Sequence, residues 1–153
     1  MSAEFGRTVG ETAKRALTWP IVTAFRLGLA LLDWSIIRYG VRRTYRRLEQ
    51  TSPKPWRGPD AALVLQARLG RWVRRASGTR EGDCLRRSLL LWWLLRWCGI
   101  PADIHCDTGP ERGHAWVEVA GRVVGDRRTL AGTGRFGRFS ALFGMTPRPT
   151  GPR

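Results

Sequence analysis

Apolar residues fall at helical spacing from about Thr12 to Leu48: Leu17, Ile21, Ala24, Phe25, Leu29, Leu32, Ile36 and Ile37. Pro20 lies near the front of this run, where an early helical proline is tolerated. Gly40 predicts a break, followed by a second, basic helix over Val41 to Leu48. Residues 1–10 are expected to fray. The stretch TSPKPWRGP (51–59) holds three prolines and reads as a linker. Asp60 then predicts an N-cap for a helix through Ala61, Leu65, Leu69, Trp72 and Val73. After a loop at 77–83, CLRRSLLLWWLLRW (84–97) is apolar on nearly every face beyond Arg87, which predicts a central buried helix. Asp83 is expected to cap its start, and Gly99 and Pro101 to end it.

The period then changes from helical to alternating. Ala102 to Asp107 predicts a short strand, and GHAWVEVAGRVVGD (113–126) a hairpin turning at Ala120-Gly121. Beyond Thr129 the Gly-, Pro- and Arg-rich tail is expected to be poorly ordered, with a turn of helix at Phe139 to Phe143. The expected organisation is helices and linker over 1–59, a core over 60–128 and a tail over 129–153. The fold class is α+β: amino-terminal helices, a central helix and a small antiparallel sheet.

Charge and cysteine content refine this picture. A net charge of +15, with Lys14 and Lys54 the only lysines, attracts acidic partners. Its dispersion along the chain singles out no one partner. A nucleic-acid-binding protein is the rival reading, yet no helix-turn-helix, RNP or zinc-knuckle pattern occurs and the tryptophans cluster in an apolar helix. Nucleic acid is therefore not expected as a partner. Leu17 to Tyr39 contains Pro20, Arg26 and Asp33, so a buried or surface-lying helix is expected there instead of a membrane span. Arg42 to Arg47 is expected to be a solvated helix face, with docking to a partner or to lipid headgroups as the alternative. Three cysteines and no secretory pattern predict reduced thiols and a cytoplasmic setting.

One of these thiols has company. Cys84 stands at the first position of the central helix, where free N–H groups and the helix dipole favour an anionic sulfur and can hold an oxyanion. His114 opens a strand thirty residues later, beside a glycine that permits close approach. A base there can take the thiol proton and return it to a leaving amine. Asp126 lies on the partner strand. A three-residue turn would set it opposite His114, and a two-residue turn would offset it by one. Either register lets the carboxylate orient the imidazole. Ser88 is expected to be a satisfied buried hydroxyl, with Leu91, Leu95, Cys98, Trp92, Trp93 and Trp116 in the core. Glu118 is expected to be an exposed strand residue, with contact to substrate from the His114 face as the alternative. His105 and Cys106 point to opposite faces of a strand and no CxxC pair exists, so no metal site and no cofactor are expected. No residue stands out as a side-chain oxyanion donor.

A helix-start Cys, a strand-start His and a next-strand Asp follow the order of papain-like and transglutaminase-like enzymes. The runs CLRRSLLLWWLLRWCGIP and GHAWVEVAGRVVGD resemble the transglutaminase-like cysteine peptidase of lasso-peptide biosynthesis, in its form as the stand-alone peptidase half of the split B protein. In that family a Cys-Leu-x-x-Ser-Leu helix ends in Gly-Ile-Pro. A His-Ala-Trp-Val-Glu-Val strand and an Asp on the next strand follow. The matching positions are Cys84, His114 and Asp126, and the resemblance covers residues 80–128. The chain departs from it in the short polar stretch ADIHCDTGPER and in Gly125 before the acid.

The resemblance implies a transglutaminase-like (papain-like) peptidase core and cleavage of a leader from a ribosomally made precursor peptide. It also implies two partners: a recognition-element protein that holds the leader, and an asparagine synthetase-like lasso cyclase that uses ATP. Residues 1–80 show no strand pattern for a leader-binding module, consistent with a separate recognition protein. A transglutaminase-like acyl transferase, with an amine in place of water as acceptor, uses the same three residues.

Overall fold

The computed structural model describes residues 5–52, 59–78, 83–107, 113–126 and 136–142. Among them are helices α1 (Phe5–Tyr39), α2 (Val41–Thr51), α3 (Pro59–Ser77), α4 (Cys84–Trp97) and α5 (Phe139–Leu142). The strands are β1 (Asp103–Asp107), β2 (His114–Val119), β3 (Arg122–Val124) and β4 (Phe136–Arg138). The strands form one antiparallel sheet in the order β3-β2-β1-β4. The architecture is α+β: helices at the amino end, a central helix and a small antiparallel sheet.

α4 occupies the centre because its sequence has nowhere else to go. Leu89, Leu90, Leu91, Trp92 and Leu95 are all buried. They pack between the other helices and the apolar face of the sheet, where Ile104 and Cys106 of β1 alternate inward and Ala115, Val117 and Val119 do so on β2. Two buried polar groups on this helix reach across to strand and loop acceptors: Ser88 Oγ donates to the Ala115 carbonyl and Trp92 Nε1 to that of Ala102, both at 2.9 Å. Gly99, at φ 81°, ends the helix, and the Ile100 N–H returns to the Leu95 carbonyl at 2.9 Å.

α1 contributes one stripe, with Leu29 and Leu32 buried and Val22, Phe25 and Ile36 partly so. Gly40, at φ 77°, breaks the chain into α2, where Tyr45 stacks on Trp92 with ring centroids 4.7 Å apart and also meets Phe139 of α5. The hairpin closes through the two-residue turn, Val119 pairing with Arg122. Ala120 (φ 49°) and Gly121 (φ 75°) both take positive φ, as a type I′ turn demands.

Several expectations require correction. α1 begins at Phe5, so the start is helical and Pro20 lies inside the helix. α3 begins at Pro59, which places Asp60 within it. Asp83 precedes α4 without a side-chain capping bond, because its carboxylate is taken by Arg86. The tail expected to be poorly ordered contains β4, which pairs with β1 and has no alternating signature in its three residues; the short helix expected after it is present as α5. The remainder of the tail and most of the proline-rich linker lie outside the described residues.

Candidate active site

The start of α4, the start of β2 and the chain leaving β3 converge. Cys84 is half-buried, and its thiol points at the carbonyl of Gly113, 3.8 Å away and one residue before His114. His114 is buried, and its Nε2 lies 2.5 Å from Asp126 Oδ2. With Nε2–H given to that carboxylate, the lone pair of the imidazole is on Nδ1, which is buried and has no hydrogen-bond partner among the described residues. The β2–β3 pairing ends at Val117–Val124, and Asp126 follows two residues later; continued that far, the register would set it opposite Ala115. The acid is therefore offset by one from His114, and its side chain spans the step.

A cavity of about 20 Å³, room for roughly one water, lies beside the thiol. It is bounded by Cys84, Ser88 and Leu91 of α4, by Gly70 and Arg74 of α3, and by Asp126. α3 reaches this place because two glycines meet. A Cβ on Gly70 would lie 3.1 Å from the Gly125 Cα, and Gly125 itself has φ 80°. The glycine before the acid, a departure in the sequence, thus lets a helix back directly onto the segment that carries Asp126.

Trp116 buttresses the imidazole from the same face of β2. Its ring stacks on His114 (centroids 5.9 Å, 21° between planes) and on His105 of β1 (5.9 Å, 23°). Its Nε1 donates to Glu118 Oε1 at 2.8 Å, and the other carboxylate oxygen lies 3.5 Å from His105 Nε2. Glu118 is thus engaged and only partly exposed, not a free surface acid. The register could have revealed this ladder, since His105 pairs with Trp116 across the sheet.

Two further residues were not distinguished by the sequence. Arg86 bonds Asp33 of α1 and, at 2.5 Å, Asp83. Burial opposes its charge, but the two carboxylates prevail and raise its pKa. This clamp ties the first turn of α4 to α1 and explains the acid inside the apolar run of α1. It also holds the Asp83 carboxylate away from the first-turn N–H groups. Cys106 is different in kind from Cys84: burial, with nearby Cys84 adding to it, pushes its thiol up to about 12. Among the described residues no three His, Cys, Asp or Glu gather to hold a metal ion. Segments 79–82, 108–112 and 127–135, which adjoin the site in sequence, lie outside the described residues.

The structure thus brings a thiol at the start of α4 near the opening of β2, and pairs the imidazole there with a carboxylate two residues beyond the end of β3, on an α+β scaffold. A family model described as the transglutaminase-like superfamily matches residues 28–140, from within α1 to the first residues of α5. The chain belongs to that superfamily. Neither the curated proteins nor the solved structures contain a match to it.

Proposed function

We propose that the chain is a cysteine peptidase that removes the leader of a lasso-peptide precursor. The observation that supports this reading is the His114 ring: Nε2 is held by Asp126, Nδ1 is buried with no hydrogen-bond partner among the described residues, and the Cys84 thiol points at the carbonyl of the preceding residue, Gly113. The Cys84 thiol proton passes to Nδ1, and the sulfur bonds to the scissile carbonyl carbon. The backbone N–H of Cys84 faces the oxyanion, since the first-turn N–H groups of a helix have no acceptor within it. The C–N bond breaks as the amine takes the proton from Nδ1, leaving a thioester on Cys84. Water, deprotonated by the same nitrogen, hydrolyses it and restores the thiol. Asp126 stabilises the imidazolium in both halves.

The family resemblance at residues 80–128 supports the substrate class, and with it the partners: a leader-bearing precursor, a recognition-element protein that presents the leader, and a lasso cyclase that consumes the new amine. A cytoplasmic setting suits a reduced nucleophile.

The test is incubation with a precursor peptide and the recognition protein, read by mass spectrometry. Loss of the leader mass is expected, with cleavage abolished in Cys84→Ala and partly retained in Asp126→Asn, whose amide can still orient the ring. A product heavier by an amine would assign the chain to acyl transfer instead, and cleavage surviving in Cys84→Ala would end the reading.

A further inference from the structure

α1 buries only the stripe that runs through Leu29 and Leu32. The opposite side is apolar as well: Trp19 (76% exposed), Leu27 (61%), Leu31 (59%), Trp34 (59%) and Ile37 (86%) project outward. At 100° per residue Leu27, Leu31 and Trp34 share one face, with Trp19 and Ile37 on its flank. From Trp19 to Ile37 the strip is about 27 Å long at 1.5 Å per residue. A continuous exposed apolar strip of this extent marks an interaction surface.

The residues around it identify the occupant. Trp19–Tyr39 is long and apolar enough to cross a membrane, but only 11% of it is buried. Crossing would pull Leu29 and Leu32 from the core and break the Asp33–Arg86 pair. The helix can therefore present one side to lipid while the other stays on the protein. At its carboxyl end the charge is predominantly positive. Arg38, Arg42, Arg43, Arg46 and Arg47 are exposed; of the two acids nearby, Asp33 is paired with Arg86 and Glu49 lies partly buried beyond the last of these arginines. The Arg47 guanidinium lies 3.9 Å over the Tyr39 ring, whose edge meets Trp34, so cation and strip are contiguous. A groove of about 190 Å³ between α1, α2 and α4 opens from Leu31 past Leu48 and Trp93, with Arg47 at its wall. Apolar volume beside a guanidinium, tryptophans along the strip and cations without intervening acids match an acyl boundary with anionic headgroups above it.

We propose that the outward face of α1, with the arginines of α2, lies in the interface of an anionic lipid bilayer, holding the protein on the membrane surface without spanning it. This is independent of the peptidase reading, and Cys84→Ala should bind as the unaltered chain does.

The test is co-sedimentation of the full chain with vesicles of phosphatidylcholine plus phosphatidylglycerol, against phosphatidylcholine alone. Pelleting with the anionic vesicles is expected, weakened by salt and by about fivefold for each of Arg43→Gln and Arg47→Gln. Leu31→Glu with Trp34→Glu should leave the protein in the supernatant, with an unchanged far-UV circular dichroism spectrum and melting temperature. Should that pair fail to fold, quenching of tryptophan fluorescence in the unaltered chain by brominated lipid decides the matter. Four results would overturn the proposal: no pelleting, no quenching, pelleting indifferent to the folded double variant, or bound protein that resists alkaline carbonate as a spanning helix does. Self-association that the same double variant abolishes, without vesicle binding, would assign the face to a second copy of the chain.

Discussion

At Gly125 the backbone φ is 80°, and a Cβ there would lie 2.5 Å from Leu91 Cδ2. Both facts oppose a side chain: the left-handed region costs an L-residue about 1–2 kcal/mol, and Leu91 is buried, with only the small cavity beside Cys84 to retreat into. Gly125→Ala should therefore destabilise the fold by about 2–4 kcal/mol, combining backbone strain with overpacking. A lowered urea midpoint checks it, and an unchanged midpoint would show that Leu91 can swing away. Gly70→Ala meets the Gly125 backbone at 3.1 Å and should cost less, because α3 can shift by a few tenths of an ångström. Since Asp126 follows Gly125 directly, any variant that moves this segment also moves the partner of His114.

Elements set the angles at which these residues meet. The hairpin that carries His114 and leads to Asp126 turns on Ala120 at φ 49°, a conformation alanine adopts only at a cost. Asparagine tolerates it, and Asn-Gly is the favoured type I′ pair. Ala120→Asn should raise stability by roughly 0.5–1 kcal/mol, visible as a higher melting temperature, whereas Ala120→Val should lower it. α4 is oriented from both ends, by the Arg86 clamp to Asp33 at its start and by the Trp92 bond to Ala102 near its close. β4 matters for a different reason. It covers the free edge of β1, so the central strands have partners on both sides.

For the molecule as a whole, two buried acids of high pKa define an alkaline limit. Burial raises the Cys106 thiol from 9.0 to about 12 and, as the largest cause, the Tyr45 phenol from 10.0 to about 12. A raised folded pKa means that the native state prefers the protonated form. The associated stability is full below the unfolded pKa values and is lost as pH rises through the folded ones. Stability should therefore decline from about pH 9 and fall away toward about 12. Denaturation midpoints across that range check the slope, and Cys106→Val should flatten part of it. At neutral pH the same burial protects Cys106 from alkylation while half-buried Cys84 reacts.

Periodicity determined the course of the chain wherever one local rule acted alone. The apolar run from Ser88 to Leu95 could only be a buried helix, and alternation between His114 and Val119 only a half-buried strand. The order of Cys84, His114 and Asp126 was likewise legible, because helix start, strand start and turn are local features. Tertiary structure decided what depends on distant neighbours. It paired Asp33 with Arg86 across 53 positions, recruited a three-residue strand that has no pattern of its own, and backed α3 onto Gly125. It also chose which stripe of α1 to bury. Both sides of that helix are apolar, and a uniform pattern does not say which side the core will take until the core exists.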